Sequence, residues 1–154
     1  MGRVDTKKGP LTLVADDDAV YLSFWRRILT DLGVDNFMLV QDPHEAEEIL
    51  KSTPCKLFIS DVIMPEINGY ELAKIANELQ PGCTVILTTA YGTNLYRFAL
   101  ENHKFHLLHK PYNDLNELKK FLEHLLAGDE KFDDISEDSC SENEDYPHLM
   151  EWKL

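Results

Sequence analysis

The stretch LFISDVIMPEINGYEL, residues 57–72, settles the class of fold. Leu57, Phe58 and Ile59 make an apolar run of the kind that fills a buried strand, and Asp61 breaks it with a charge. Met64-Pro65 and Asn68-Gly69 are turn signals. From Gly69 to Leu79 the period becomes helical, with Leu72, Ile75, Ala76 and Leu79 expected on one side and Pro81-Gly82 as the stop. A strand that empties a lone carboxylate into a loop, then a helix, is the repeating unit of a parallel α/β sheet.

The same alternation runs through the chain on both sides of this unit. LTLVA (11–15) reads as a buried strand, followed by Tyr21, Trp25, Ile28 and Leu32 at helical spacing, with Gly33 as the stop. FMLV (37–40) is a short strand, and Pro43 opens a helix carrying Ala46, Ile49 and Leu50. TVILTTA (84–90) is β-branched and strand-like, and residues 93–102 read as a helix. FHLLHK (105–110) is a fifth strand. Asn113 or Asp114 then caps a last helix, with Leu115, Leu118, Leu122, Leu125 and Leu126 expected inward. Five strands alternating with helices predict a doubly wound, five-stranded parallel sheet with helices on both faces, the flavodoxin-like arrangement.

Composition narrows the class of function. The chain has 154 residues and 44% hydrophobic residues, which suits one domain and a tail. No apolar run approaches the roughly 18 residues of a membrane span, and MGRVDTKKGP lacks the apolar core of a signal peptide. Cys55, Cys83 and Cys140 are scattered and odd in number, which favours reduced thiols and a cytoplasmic setting. The net charge of −13 argues against nucleic acid as a partner. Residues 128–154 hold ten acids against two lysines, net −8, leaving −5 for the rest. The chain therefore divides into an N-terminal extension (1–9), a folded domain (10–127) and an acidic tail (128–154).

In open parallel sheets, ligands gather at the carboxyl ends of the strands, near a switch in strand order. Those ends carry Asp16-Asp17-Asp18, Asp61, Thr88-Thr89 and Lys110-Pro111. Two carboxylates about 5 Å apart repel by roughly 3 kcal/mol at an effective dielectric near 20, so such a cluster needs a cation. Hard oxygen ligands with open positions suit Mg²⁺. With a lysine and a hydroxyl donor added, the set suits a phosphoryl group attached to one carboxylate.

LVADDD (13–18), SDVIMPEINGYEL (60–72), ILTTAYG (86–92) and HKPY (109–112), in this order and each at a strand end, resemble the receiver domains of two-component response regulators. The resemblance covers about residues 10–127. It implies that Asp61 is the phosphoacceptor, charged by a sensor histidine kinase or a histidine phosphotransfer protein. It implies Mg²⁺ held by Asp17, Asp61 and the backbone carbonyl of Ile63, with Asp16 acting mainly through water. Thr89, with the small Ala90 beside it, would bond a phosphoryl oxygen, and Lys110 would pair first with Asp61 and then with the phosphoryl group. Pro111 would follow a cis peptide, and Asp18 would cap the first helix. Ile63 and Tyr91 stand at the positions that set the rate of dephosphorylation. Both are bulky and neither suits the orientation of a water, which predicts slow loss of the phosphoryl group. Output would pass through the face of the fourth helix, fifth strand and last helix, to a protein partner or a second copy.

Other functional classes fit these residues less well. An aspartyl phosphatase of the haloacid dehalogenase type needs a second Asp two residues after the nucleophile, where this chain has Ile63. A pseudo-receiver that serves only as a scaffold would lose an acid, the Thr or the Lys, and none is lost. Taken alone, Asp16–Asp18 could be a solvated loop, Thr88-Thr89 mere strand formers and Lys110 a surface lysine. His103, His106 and His109 do not make a zinc site, since strand alternation turns His106 and His109 to opposite faces. Tyr21, Phe24 and Trp25 read as core and helix surface. The family's aromatic switch, three residues before the lysine, is Leu107 here, and Phe105 on the same strand face is a partial substitute. In the tail, YPHLMEWKL (146–154) is either a docking peptide or the end of a linker to an output domain.

Overall fold

The computed structural model describes residues 9–90 and 104–127. The helix expected over 93–102, Tyr91, His103 and the acidic tail lie outside the described residues. The described elements are β1 (Leu11–Ala15), α1 (Ala19–Asp31), β2 (Phe37–Val40), α2 (Pro43–Ser52), β3 (Cys55–Asp61), α3 (Gly69–Leu79), β4 (Thr84–Thr89), β5 (His106–His109) and α4 (Leu115–Leu126). No helix among the described residues is long and apolar enough to cross a membrane.

Each helix starts where a short polar side chain satisfies the first free N–H groups. Asp18 accepts from the Val20 N–H at 2.9 Å, and Asp42 accepts from the His44 N–H at 2.9 Å with Pro43 behind it. Asn68 and Glu71 form a reciprocal capping box at the head of α3. Asp114, the second of the two candidate caps, accepts from the Glu117 N–H at 3.1 Å. Gly33 follows α1 with φ +81°, a conformation that glycine adopts without a side-chain clash. Gln80 closes α3 and donates to the carbonyls of Leu50 and Thr53, both at 2.8 Å, while accepting from the Cys55 N–H at 2.6 Å. One side chain thereby ties the end of α2 to the start of β3.

All strands pair in parallel in the order β2-β1-β3-β4-β5. The chain steps from β1 outward to β2 and then returns past β1 to β3, so the strand order reverses between β1 and β3. Both faces of the sheet are covered, which is why its central strands are continuous apolar runs. On one face Leu11, Leu13, Phe58, Leu87 and Leu107 pack with Ala46 and Leu50 of α2 and Leu72 and Ala76 of α3. On the other, Val14, Leu57, Ile59, Ile86 and Leu108 pack with Trp25, Ile28 and Leu29 of α1 and Leu118, Phe121 and Leu122 of α4.

Three details depart from expectation. β4 and β5 are shorter than read, leaving out Ala90, Phe105 and Lys110. Leu79 is 52% exposed and Leu115 is 45% exposed, although both sit on apolar stripes. Phe121, absent from the expected inward set, is 2% exposed and central to the α4 contact. Leu79 and Leu115 lie at helix ends, and a stripe marks a side of a helix without marking where along it the sheet stops.

Candidate functional site

Strand register assembles the site. Ala15 stands opposite Ser60, Asp61 opposite Thr88, and Thr89 opposite His109. Asp16 and Asp61 therefore leave the sheet level with each other, and Thr89 and Lys110 follow within a residue. Backbone bonds from Asp16 N–H to Val40, Val62 N–H to Thr88 and Lys110 N–H to Thr89 extend the ladder past the strand ends and hold these positions. Gly69 allows α3 to close on this edge. Its N–H donates to the Val62 carbonyl at 2.7 Å, and a Cβ there would collide with the Asp61 carbonyl.

Asp16, Asp17 and Asp61 each offer a carboxylate oxygen, and these atoms lie within 4.8 Å of one another. Among the described residues this is the one acidic, His or Cys group able to surround a metal ion. Lys110 reaches in with its Nζ 3.0 Å from Asp16 Oδ2 and 3.4 Å from Asp61 Oδ2. It is thus closer to Asp16 than to Asp61. Asp16 also accepts from the Asp18 N–H at 2.9 Å, so both of its oxygens are engaged within the protein. That leaves Asp17, which is exposed, and Asp61 as the more available ligands.

One lysine faces three carboxylates. Burial pushes the Asp61 carboxyl up to about 6, with Lys110 opposing the rise and Asp16 and Asp17 adding to it. Burial also raises Asp16, against the Asp18 N–H and Lys110. Burial works to lower Lys110, but the bond to Asp16 and the charges of Asp16 and Asp61 outweigh it and hold the ammonium above its ordinary range. The cluster is short of positive charge, and its hard oxygen donors fit a small divalent cation.

The cleft over these groups is bordered by Asp17, Asp18, Ala19, Tyr21, Asp61, Ile63, Ala90 and Lys110. Thr89 is buried next to it at the end of β4. Ile63 is 48% exposed at its mouth. The Lys110-Pro111 peptide is cis, as the resemblance implied. Leu107 is buried on the face covered by α2 and α3, and Phe105 packs on the same face, 5.9 Å from the ring of Tyr70. His106 turns to the other face, its ring edge-on to Phe121 at 5.3 Å. Tyr21 was not expected at the site. Its ring lies under the Lys110 ammonium at 3.9 Å, a contact that helical spacing cannot reveal because its partner is on a distant strand.

A family profile described as the response regulator receiver domain matches residues 12–123. The chain belongs to the response regulator receiver family. The receiver domain is 30% identical over 120 residues to the uncharacterized transcriptional regulatory protein YesN of Bacillus subtilis (strain 168), covering 75% of this chain and 32% of that protein. It is 32% identical over 82 residues to the response regulator receiver protein CpdR of Brucella abortus (strain 2308), covering 52% of this chain and 66% of the relative. The chain thus spans about a third of the first relative and about two thirds of the second. Among solved structures, the CheY-like response regulator receiver domain protein from Methanospirillum hungatei JF-1 superposes with a TM-score of 0.67 at 26% identity, covering 79% of this chain and 97% of that one. The fold and the acidic cluster are those of a phosphoacceptor switch family.

Proposed function

We propose that Asp61 is the phosphoacceptor of this receiver domain and that a histidine kinase or a histidine phosphotransfer protein is the donor. The observation that carries the reading is the meeting of Asp16, Asp17 and Asp61 within 4.8 Å, with Lys110 3.4 Å from Asp61, at the reversal of strand order. A carboxylate oxygen of Asp61 attacks phosphorus, the bond from phosphorus to the donor imidazole breaks, and the imidazole leaves neutral once it keeps or gains its proton. Lys110 neutralises the added oxygens, and Thr89 offers them a hydroxyl. Asp17, Asp61 and the carbonyl of Ile63 would hold Mg²⁺, with Asp16 acting through water, and the ion would supply the positive charge that one lysine cannot. A scaffold role without phosphorylation is the weaker reading, because the acids and the lysine are arranged as a working set.

Drawing Thr89 and Lys110 toward a phosphoryl group shifts the population of conformers on the face that includes β5 and α4. Leu107 has no ring to swing, so the coupling passes through Phe105 and its contact with Tyr70. Reduced, buried Cys55 and Cys83 suit a cytoplasmic setting. The partner on the output face is a protein or a second copy of the chain.

Incubation with Mg²⁺ and acetyl phosphate, followed by intact mass, tests the assignment. Wild type should gain one phosphoryl group and Asp61→Asn none; equal labelling of both moves the site elsewhere. After donor removal, decay should be slow. Ile63→Asn combined with Tyr91→Glu should hasten it, each roughly 1.4 kcal/mol off the barrier giving tenfold. Decay of the wild type within seconds contradicts the obstructing role of Ile63 and Tyr91.

A further inference from the structure

We propose that Tyr21 is a positioning residue for Lys110, holding its ammonium ready for the phosphoryl group; this rests on the reading of Asp61 as the phosphoacceptor. An ammonium has three donors. Two point toward carboxylates, Asp16 at 3.0 Å and Asp61 at 3.4 Å. The third side of the ammonium lies over the ring of Tyr21, 3.9 Å from its centroid, well inside the reach of a cation–π contact. The lysine side chain is only 8% exposed, so this contact is little screened by water.

The ring is itself held. Tyr21 meets the ring of Tyr112 edge-on at 5.5 Å, and Tyr112 stacks on Phe24 at 4.9 Å. Trp25, fully buried, packs edge-on against both Phe24 and Tyr112. Tyr112 is two residues from Lys110, so one aromatic cluster fixes both the lysine and the ring beneath it. The need for such a device follows from the distances. Asp16 is the nearer carboxylate, and an unsupported lysine would settle on it. The ring gives Nζ a third anchor and keeps it within reach of Asp61, where the new charge arrives.

The test uses the full chain. In the unphosphorylated protein, proton resonances of the Lys110 ε-methylene should lie upfield of those of exposed lysines through the ring current of Tyr21. Tyr21→Phe keeps the ring and should retain the shift; Tyr21→Leu keeps apolar bulk and should lose it. With Mg²⁺ and acetyl phosphate, Tyr21→Leu should be labelled about threefold more slowly, and Tyr21→Phe should rescue the rate. Urea midpoints of the variants identify any loss of fold. A Lys110 shift that survives Tyr21→Leu, a Leu variant labelled as fast as wild type, or a Phe variant as slow as Leu would overturn the proposal. Wild type that shows the ring shift but takes no phosphoryl group overturns the Asp61 reading and the positioning role with it; labelled wild type without the shift overturns the positioning role alone.

Discussion

Asp61 titrates from about 6 in the folded chain, against an ordinary value of 3.8 once unfolded. Between those values the native state binds more protons than the unfolded state, so this group's contribution to stability falls as pH rises through the window. Above about pH 6 the full cost of its buried charge is present. Asp61→Asn removes that cost. In Mg²⁺-free buffer near pH 7 the variant should be more stable by about 1 kcal/mol, raising Tm by about 4 °C. Below about pH 4 the difference should vanish. His106 acts with the opposite sign. Burial pushes it down to about 4 from 6.5, so the unfolded state binds more protons in that window, and stability falls as pH drops through it. The two windows overlap and oppose each other. Asp61→Asn should therefore gain stability more steeply than wild type from about pH 4 to 6, as read by urea denaturation. A variant no more stable than wild type at neutral pH would contradict the burial of this charge.

The joint between β3 and α3 is the element on which the site depends most. Val62 donates to Thr88 and accepts from Gly69, so the chain is bonded to both neighbours directly after Asp61. Alanine is the better helix former, and at an open helix start Gly→Ala would be neutral or helpful. Here the added methyl meets the Asp61 carbonyl and the Val62 Cα, both backbone atoms that cannot rotate away. Gly69→Ala is expected to cost about 1–3 kcal/mol by overpacking, measured by urea denaturation, and to slow Asp61 labelling by displacing its carboxylate. Unchanged stability would show that α3 can slide off the strand end freely.

At the scale of the whole molecule, two apolar layers cover the two faces of one sheet, and both are built from residues within 11–126 among the described residues. Removing residues 128–154 takes away a net charge of −8 and should leave unfolding cooperative, with stability within about 0.5 kcal/mol of the full chain. Loss of cooperative unfolding in the shortened chain would show that the tail belongs to the core. If YPHLMEWKL is a docking peptide, its removal should alter partner binding without altering Asp61 labelling.

Much of this was legible in the sequence because its causes are local. A cap needs an oxygen one to three residues from an N–H, and Asp18 and Asp114 stand where the sequence predicts caps, while the caps by Asp42 and Asn68 emerge only in the structure. Buried parallel strands show as unbroken apolar runs, and the charged residues at their ends single out Asp16, Asp17, Asp61 and Lys110 in the sequence itself. The tertiary structure decided what distance along the chain conceals. Lys110 bonds Asp16 across 94 residues and lies nearer to it than to Asp61, the partner that the resemblance implied. Leu115 is exposed while Phe121 is buried, because the sheet covers only part of the apolar stripe on α4. Tyr21 looks like ordinary helix surface until the fold brings Lys110 over its ring. Charge, burial and ring contact act through space, and only the assembled sheet sets which groups share that space.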